Sequence, residues 1–396
     1  MINKKMEMLG SKRSVIRELF EYGMKRKAEI GEDNVFDFSL GNPSVEPPAS
    51  VNETLIELIR TTNPTKLHAY TSAPGDLGTR AAIADYLNEN YNAGITPDFI
   101  YMTVGAAGAL TAALTAIAGE GEEVILLAPF FPEYRVFVER TGACVKIVPC
   151  DSITFQPDIP AIADAINEKT AAIIVNSPNN PSGAVFTEEK ISALTELLSK
   201  KSKELNRPIY LISDEPYREL VYGDARVPYL TNYYDNTIVC YSFSKSLSLP
   251  GERIGYVLVS PRCDDAKSVY AAVAGAARAL GFVCAPALLQ YLVARCLGQT
   301  ADISVYDKNR TILCKALTEY GYTVVKPDGA FYLFVKALED DANAFAERAK
   351  AHELLLVPSD DFGIPGYVRI SYCTSTEQIT RALPAFRALA NDYLEG

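Results

Sequence analysis

A lysine directly after an apolar run is the strongest candidate for chemistry in this 396-residue chain. The run ends at Ser242, and Lys245 follows in the segment Ser242-Phe243-Ser244-Lys245. Burial lowers the pKa of a lysine amine, which suits a group that must act first as a nucleophile and then carry a proton. By itself the Ser-x-x-Lys pattern is weak evidence, because most such pairs are ordinary surface sequence.

Two charged residues could complement this amine. Asp214 ends another apolar run, where an aspartate can hold a positive charge, and Tyr217 follows three positions later as a hydrogen-bond donor. Arg253 lies eight positions after Lys245 and supplies a fixed cation just before the next apolar run. For the aspartate alone, a turn cap ahead of Pro216 is an equally good interpretation.

Three more segments fall at the ends of apolar runs. The loop at 176–183 contains two prolines and could hold Asn180 against a ligand. Gly105, Ala106 and Ala107 lie between a predicted strand and helix, where free backbone N–H groups can bind an anion. Phe131 belongs to an aromatic pair that follows another run. Each segment also has a purely structural interpretation. The loop at 176–183 could be a plain turn, the glycine and alanines a turn of small residues, and the aromatic pair part of the core.

The elements that would position these residues alternate along the chain. Short apolar runs predict strands at 100–104, 124–128, 145–149, 172–176, 209–214, 237–242 and 255–259. Helical patterns lie between them at 106–118, 158–168 and 187–204, another at 76–91 precedes the first of these strands, and an earlier surface helix covers about 11–30. Apolar strands separated by helices predict a mostly parallel seven-stranded sheet covered on both faces. Ligands bind at the carboxyl ends of such strands.

The pattern changes towards the C-terminus. Short strands are predicted at 322–326, 331–335, 354–358 and 368–371, with helices at about 341–351 and 375–393. A strand at 35–40 is predicted near the N-terminus. We therefore expect a large α/β domain at 50–295 and a smaller α+β domain that combines 1–49 with 296–396.

Composition narrows the functional class. A formal net charge of −11 argues against nucleic acid or an anionic membrane surface as partner. Two histidines leave little supply for a metal site or a histidine-based triad, so no metal is expected. The uncharged stretch 99–119 is interpreted as a strand, turn and helix rather than a membrane span. Eight scattered cysteines without a C-x-x-C pair, and no signal peptide, predict a reduced, cytoplasmic protein.

In combination these segments resemble the class I/II aminotransferase family of fold type I pyridoxal-phosphate enzymes, typified by aspartate aminotransferase. The resemblance runs from about Ser39 to Tyr372, and the segments come in the family's order. It implies that pyridoxal 5′-phosphate is the cofactor and that Lys245 is its Schiff-base lysine. It also implies the residues that bind the cofactor phosphate: Gly105, Ala106, Ala107, Ser242, Ser244 and Arg253.

The remaining site residues are likewise implied by the resemblance. Asp214 matches the aspartate that pairs with the pyridine nitrogen, and Phe131 matches the aromatic that stacks on the ring. Tyr217 and Asn180 match the donors to the phenolic oxygen. The substrate would be bound by Gly41, Asn180 and Arg369, with the arginine gripping its carboxylate. Tyr70 resembles the tyrosine that reaches the phosphate of the neighbouring subunit, which implies a homodimer.

Three functions remain open at this point. The first is transamination between an amino acid and a 2-oxo acid. The second keeps the cofactor for another reaction, namely β-elimination by a C–S lyase or, less well supported, decarboxylation. The third is a regulatory or binding protein on the same fold, which the intact set of lysine, aspartate and arginine disfavours. The stretch 279–286 has no arginine for a side-chain carboxylate, so a neutral or aromatic amino acid is favoured over aspartate.

Overall fold

The computed structural model describes residues 2–11 and 14–394 and is built around a seven-stranded sheet. Its strands lie in the order β2-β8-β7-β6-β5-β3-β4. Their bounds are β2 Ile100–Thr103, β3 Glu123–Ala128, β4 Cys144–Pro149, β5 Thr170–Asn176, β6 Tyr210–Asp214, β7 Thr237–Ser242 and β8 Gly255–Val259. Every neighbouring pair is parallel except the two that contain β8, which runs antiparallel to β2 and to β7. The prediction of a mostly parallel sheet is confirmed.

Both faces of the sheet are buried, which explains why its strands are apolar throughout. In β3, Val124 and Leu126 contact one hydrophobic core, while Ile125 and Leu127 contact another on the opposite face. Successive strand residues point to opposite faces, so only a sheet covered on both sides buries all four. The edge strand β4 is the exception, with Cys144 and several neighbours exposed.

Helices supply these covering layers. Within the described residues their bounds are α1 Lys4–Ser11, α2 Val15–Ile30, α3 Ala49–Thr61, α4 Pro64–Leu67, α5 Leu77–Tyr91, α6 Gly105–Ile117, α7 Glu133–Arg140, α8 Ile159–Ala165, α9 Glu188–Leu205, α10 Phe243–Ser246, α11 Ala266–Leu280, α12 Ala287–Arg295, α13 Ser304–Glu319, α14 Ala342–Lys350 and α15 Thr376–Leu394. α6 and α11 pack together on one face, and α8 and α9 cover the other. In the described ranges no helix has both the length and the apolar character needed to cross a membrane.

The C-terminal part forms a separate hydrophobic core around two small sheets. β11 Val357–Pro358, β12 Tyr367–Ser371 and β9 Tyr332–Lys336 are antiparallel in that order, and β1 Phe36–Asp37 pairs in parallel with β10 Leu354–Leu355. The N-terminal segment therefore joins this part. The boundaries proposed from the sequence, 50–295 for the larger domain and 1–49 with 296–396 for the smaller, stay a prediction.

Three predicted strands differ from the structure. The strand predicted at 354–358 is not continuous, since Leu354–Leu355 and Val357–Pro358 belong to different sheets. The prediction at 35–40 was too long, since only Phe36 and Asp37 form a strand. The strand predicted at 322–326 was wrong, because this segment contributes only an isolated bridge between Val324 and Val335. The segment reaches Pro327 immediately afterwards, and proline has no N–H group to continue a ladder.

Candidate active site

Several of the predicted site residues lie at the edge of the large sheet where its parallel strands have their carboxyl ends. Asn176 and Asp214 end β5 and β6 and are paired in register. Ser242 ends β7 and lies opposite Gly255, which in turn lies opposite Thr103 at the end of β2. The carboxyl ends of the parallel strands thus meet the amino end of β8, and the loops from all of them converge there.

Lys245 lies on α10, a single turn that begins as soon as β7 ends. Ser242 caps this turn, accepting a hydrogen bond from the backbone N–H of Ser244 at 3.2 Å. The Lys245 Nζ donates to the carbonyl oxygen of Gly41 at 2.6 Å and lies 5.2 Å from the ring centroid of Phe331. Burial lowers the pKa of this amine from 10.5 to about 8. A large neutral fraction is therefore present near pH 8, as a nucleophilic amine requires.

Asp214 is 5 % exposed, and only one of its two carboxylate oxygens has a hydrogen-bond partner among the described residues. Its Oδ2 accepts from the hydroxyl of Tyr134, but its Oδ1 has no hydrogen-bond partner among the described residues. Burial raises the pKa of the carboxyl to about 7; the Tyr134 bond opposes this rise and the neighbouring Glu215 adds to it. A buried oxygen of this kind is costly unless a donor faces it. Oδ1 is therefore suited to a ligand N–H group, best of all a cationic one.

Gly105 and Arg253 form a small cradle beside Lys245. Gly105 begins α6 with a positive φ of 79°, and a Cβ at this position would come within 2.7 Å of the Arg253 guanidinium. Arg253 Nη1 donates to the Pro250 carbonyl at 2.8 Å and to Ser244 Oγ at 3.4 Å. The free amides of the first helical turn and the guanidinium together make an anion site.

Ala106 and Ala107 are the next two residues of α6, and their backbone N–H groups belong to the same first turn. Ser242 Oγ lies 2.7 Å from Ser244 Oγ, so the two predicted phosphate serines are in contact. Four elements therefore meet at one point: the ends of β2 and β7, the start of α6 and the loop before β8.

Arg369 is a buried cation that has no carboxylate partner among the described residues. It is 2 % exposed, and burial lowers the pKa of its guanidinium. Nη1 donates to Asn180 Oδ1 at 3.1 Å and Nη2 donates to the Ser39 carbonyl at 2.5 Å, whereas Nε has no partner. Asn180 is itself held by Asn176, whose Oδ1 accepts from the Asn180 N–H at 2.8 Å. Because an unpaired buried charge is expensive, this geometry favours an incoming carboxylate.

Two tyrosines that the sequence analysis did not single out complete the site. Tyr134 donates to Asp214, and Tyr332 lies 3.0 Å, hydroxyl to hydroxyl, from Tyr217. Tyr134 lies three positions after Phe131, in the segment that contains the predicted aromatic pair. Nothing in that segment indicates the hydrogen bond to Asp214, which is 80 positions away in the chain. Tyr332 has no local signal, because its hydroxyl partner is 115 positions away in the chain.

The other predicted residues are placed as follows. Gly41 lies against the Tyr332 hydroxyl, with which a Cβ at position 41 would clash. Phe131 is partly buried and packs edge-on against Tyr134, with ring centroids 5.6 Å apart. Tyr70 is 95 % exposed, so a single chain does not bring its side chain together with the others.

Comparison with known proteins agrees with this geometry. Residues 33–386 match the family model described as aminotransferase class I and II. The aspartate aminotransferase of Thermotoga maritima is 31 % identical over 383 residues, which cover 95 % of this chain and 97 % of that protein. The (5-formylfuran-3-yl)methyl phosphate transaminase of Methanocaldococcus jannaschii is also 31 % identical, over 396 residues that cover 96 % of this chain and 99 % of its own.

Solved structures agree as well. The crystal structure of an aminotransferase from Eubacterium rectale superposes with a TM-score of 0.97 at 54 % identity, covering 99 % of both chains. The aspartate aminotransferase of Thermus thermophilus with maleate superposes with a TM-score of 0.86 at 25 % identity, covering 98 % of this chain and 99 % of that one. The chain therefore belongs to the class I and II aminotransferase family and is a pyridoxal-phosphate-dependent transferase of amino groups between amino acids and 2-oxo acids.

Proposed function

We propose that Lys245 is the amine that holds the cofactor during amino transfer, with Asp214 facing the ring nitrogen. The observation that carries this proposal is the buried, unpartnered Oδ1 of Asp214, since a protonated ring nitrogen is the cationic N–H donor that this oxygen lacks. Such a donor would hold the carboxyl ionised and lower its pKa again.

The rest of pyridoxal 5′-phosphate fits the neighbouring groups. Gly105 leaves room for an anion beside the Arg253 guanidinium, and the amides of Ala106 and Ala107 begin the same helix. Together with the hydroxyls of Ser242 and Ser244, which are hydrogen-bonded to each other, these groups suit a phosphate. Phe131 is the proposed stacking aromatic, and Tyr217 and Asn180 the donors to the phenolic oxygen.

When bound, the cofactor supplies an electron sink that stabilises negative charge at the substrate's α-carbon. Lys245 Nζ, with its pKa near 8, takes the proton from that carbon and later returns a proton to the reacting centre. Arg369 binds the substrate carboxylate through two parallel hydrogen bonds and thereby fixes which bond at the α-carbon is cleaved. A held carboxylate favours proton removal over decarboxylation.

For the substrate, we propose a neutral or aromatic amino donor. Around the end of α11 the side chains are apolar or small: Phe282 lies near the start of α6, and Val283 is 41 % exposed. Cys284 lies beside Thr71 in the segment that carries Tyr70. Arg278, in the last turn of α11, is exposed to solvent. Aspartate is the second candidate, favoured by the names of several relatives.

We further propose a homodimer in which Tyr70 reaches the cofactor phosphate of the partner subunit. The Tyr70 side chain is 95 % exposed, so it is free to contact a second copy of the chain. A cytoplasmic location is part of the same proposal and is supported by eight cysteines that are all free.

The assignment of Lys245 is tested by the Lys245→Ala variant, with Lys336→Ala as a control that removes an exposed lysine of β9. We expect the first variant to lose transamination by several orders of magnitude while still binding the cofactor non-covalently, and the control to keep full activity. Undiminished transamination by Lys245→Ala would overturn the assignment.

Substrate choice is tested by offering aspartate, alanine, leucine, phenylalanine and tyrosine as donors to 2-oxoglutarate, with kcat/KM measured for each. We expect the neutral or aromatic donors to exceed aspartate; the reverse order would favour the second candidate. Release of pyruvate from cysteine conjugates without any 2-oxo acid would instead identify the C–S lyase reaction that the sequence left open.

A further inference from the structure

Tyr332 contacts both the proposed substrate-binding arginine, Arg369, and the proposed cofactor-binding tyrosine, Tyr217. Neither the sequence pattern nor the reaction assigns it a role. It is the first residue of β9 and is 3 % exposed. β9 pairs with β12, so that Tyr332 lies opposite Ser371 and Phe334 lies opposite Arg369. The antiparallel pairing thus places the tyrosine two positions along the sheet from the arginine.

The ring of Tyr332 supports Arg369. The guanidinium carbon lies 4.7 Å from the ring centroid, within the range of a cation–π contact. Phe362 lies 5.2 Å away from the same carbon, so the guanidinium has two aromatic neighbours. These rings fix the plane of a buried cation that has no carboxylate partner in the described part of the chain.

The hydroxyl of Tyr332 supports Tyr217. The two oxygens are 3.0 Å apart, and the rings meet nearly at right angles with centroids 5.8 Å apart. When Tyr217 donates its hydrogen to an anionic phenolic oxygen, the stronger acceptor, Tyr332 must be the donor in the tyrosine pair. A donor to the Tyr217 oxygen polarises its O–H group and strengthens the bond that it makes onward.

Gly41 leaves the space that this arrangement needs. A Cβ at position 41 would clash with the Tyr332 hydroxyl, and the Gly41 carbonyl accepts from Lys245 Nζ at 2.6 Å. The Tyr332 hydroxyl therefore lies between the donor tyrosine and the backbone that holds the catalytic amine.

We propose that Tyr332 is a positioning residue that couples the substrate-binding arginine to the cofactor's phenolic-oxygen donor, its ring orienting Arg369 and its hydroxyl orienting Tyr217. This inference rests on the proposed roles of Arg369 and Tyr217. It assigns two separable functions to one side chain, and each can be removed without the other.

The hydroxyl is tested with Tyr332→Phe. In the cofactor-loaded enzyme we expect the pKa of the cofactor chromophore, titrated by visible absorbance, to rise by roughly half a pH unit, because the Tyr217 bond weakens. The KM for the amino acid should change less than twofold, since the ring under Arg369 remains. Tyr322→Phe is the matched control: it removes a buried hydroxyl that donates at 2.9 Å to the Phe386 backbone carbonyl of α15, which is not a site residue. It should leave the titration unchanged.

The ring is tested with Tyr332→Leu. Loss of the aromatic face should raise the KM for the amino acid by about fivefold beyond Tyr332→Phe, with the same factor in the dissociation constant of propionate as a non-reacting carboxylate probe. If the two variants have the same KM and bind propionate equally, the ring does not orient Arg369 and that half of the inference is wrong.

Two further variants separate this inference from the proposed function. Tyr217→Phe should raise the chromophore pKa by about one unit, and Tyr217→Phe combined with Tyr332→Phe should raise it no further, because the second hydroxyl acts through the first. No shift in Tyr217→Phe would refute the proposed role of Tyr217 itself. A shift in Tyr217→Phe with none in Tyr332→Phe would leave that role intact and refute the coupling.

Discussion

Replacing Asp214 with asparagine should remove a pH dependence of folding stability from the protein stripped of its cofactor. Burial raises the pKa of the Asp214 carboxyl from 3.8 to about 7. A carboxyl with a raised pKa binds its proton more tightly in the folded state, so its contribution is fully present below the unfolded pKa and is lost as pH rises through the folded one. The folded-state pKa of about 7 lies about two units above pH 5. The free energy of unfolding should therefore fall by about 2.5 kcal/mol between pH 5 and pH 7.5.

The groups that face Asp214 determine whether this change can be measured. Tyr134, Tyr217 and Cys240 stay neutral in this range, because burial raises the pKa of each well above its usual value. Glu219 titrates in the same window, since burial raises its pKa to about 6, and it changes stability in the same direction. A comparison of wild type with Asp214→Asn cancels the Glu219 contribution and leaves that of Asp214.

The assay is urea unfolding of both cofactor-free proteins at pH 5 and pH 7.5, at one matched protein concentration. Wild type should lose about 2.5 kcal/mol more of its unfolding free energy than Asp214→Asn over this interval. Adding pyridoxal 5′-phosphate to wild type should reduce the difference, since a cationic N–H facing Oδ1 keeps the carboxyl ionised. Equal pH dependence in the two cofactor-free proteins would refute the reasoning.

Three further substitutions test other parts of the site. Arg369→Lys keeps the charge but cannot form the two parallel hydrogen bonds proposed for the substrate carboxylate. The KM for the amino acid should therefore rise roughly tenfold to a hundredfold in steady-state kinetics. An unchanged KM would contradict the proposed role of Arg369. Gly105→Ala should weaken cofactor binding about tenfold in equilibrium dialysis, since both the positive φ and the close guanidinium oppose a Cβ, whereas Gly119→Ala has open space and should bind normally. Arg218→Ala leaves the buried Glu215 without its partner and should cost about 3–5 kcal/mol in urea unfolding; a cost below about 1 kcal/mol would contradict the buried ion pair.

The large sheet could be predicted from the sequence because its strands are buried on both faces. The runs at 237–242 and 255–259 coincide with β7 and β8, and the others differ by one or two residues at their ends. Continuous apolar runs of this kind depend little on neighbouring elements. The helices α3 and α7 were not predicted, although each has buried residues at helical spacing, Val51 and Leu58 in the first and Tyr134 and Val138 in the second.

The site could be predicted where its residues follow strands and not where they depend on distant partners. Asp214 and Lys245 lie directly after apolar runs, so their position at the sheet edge follows from topology. Tyr332 and Tyr134 act through side chains that the fold brings close from far along the chain. The antiparallel course of β8 also had no local signal, since its composition matches that of its parallel neighbours.

That reversed strand has a consequence for how the cofactor is held. Because β8 runs opposite to β7, the chain leaves the sheet after Ser242 and re-enters it at Gly255 on the same edge. Lys245 and Arg253 therefore belong to one short excursion, anchored at both ends by neighbouring strands. In the proposed site, the amine and the phosphate-binding cation are therefore carried by one segment that is fixed to the sheet at both ends. A displacement of this segment would move both groups together and keep the distance between them.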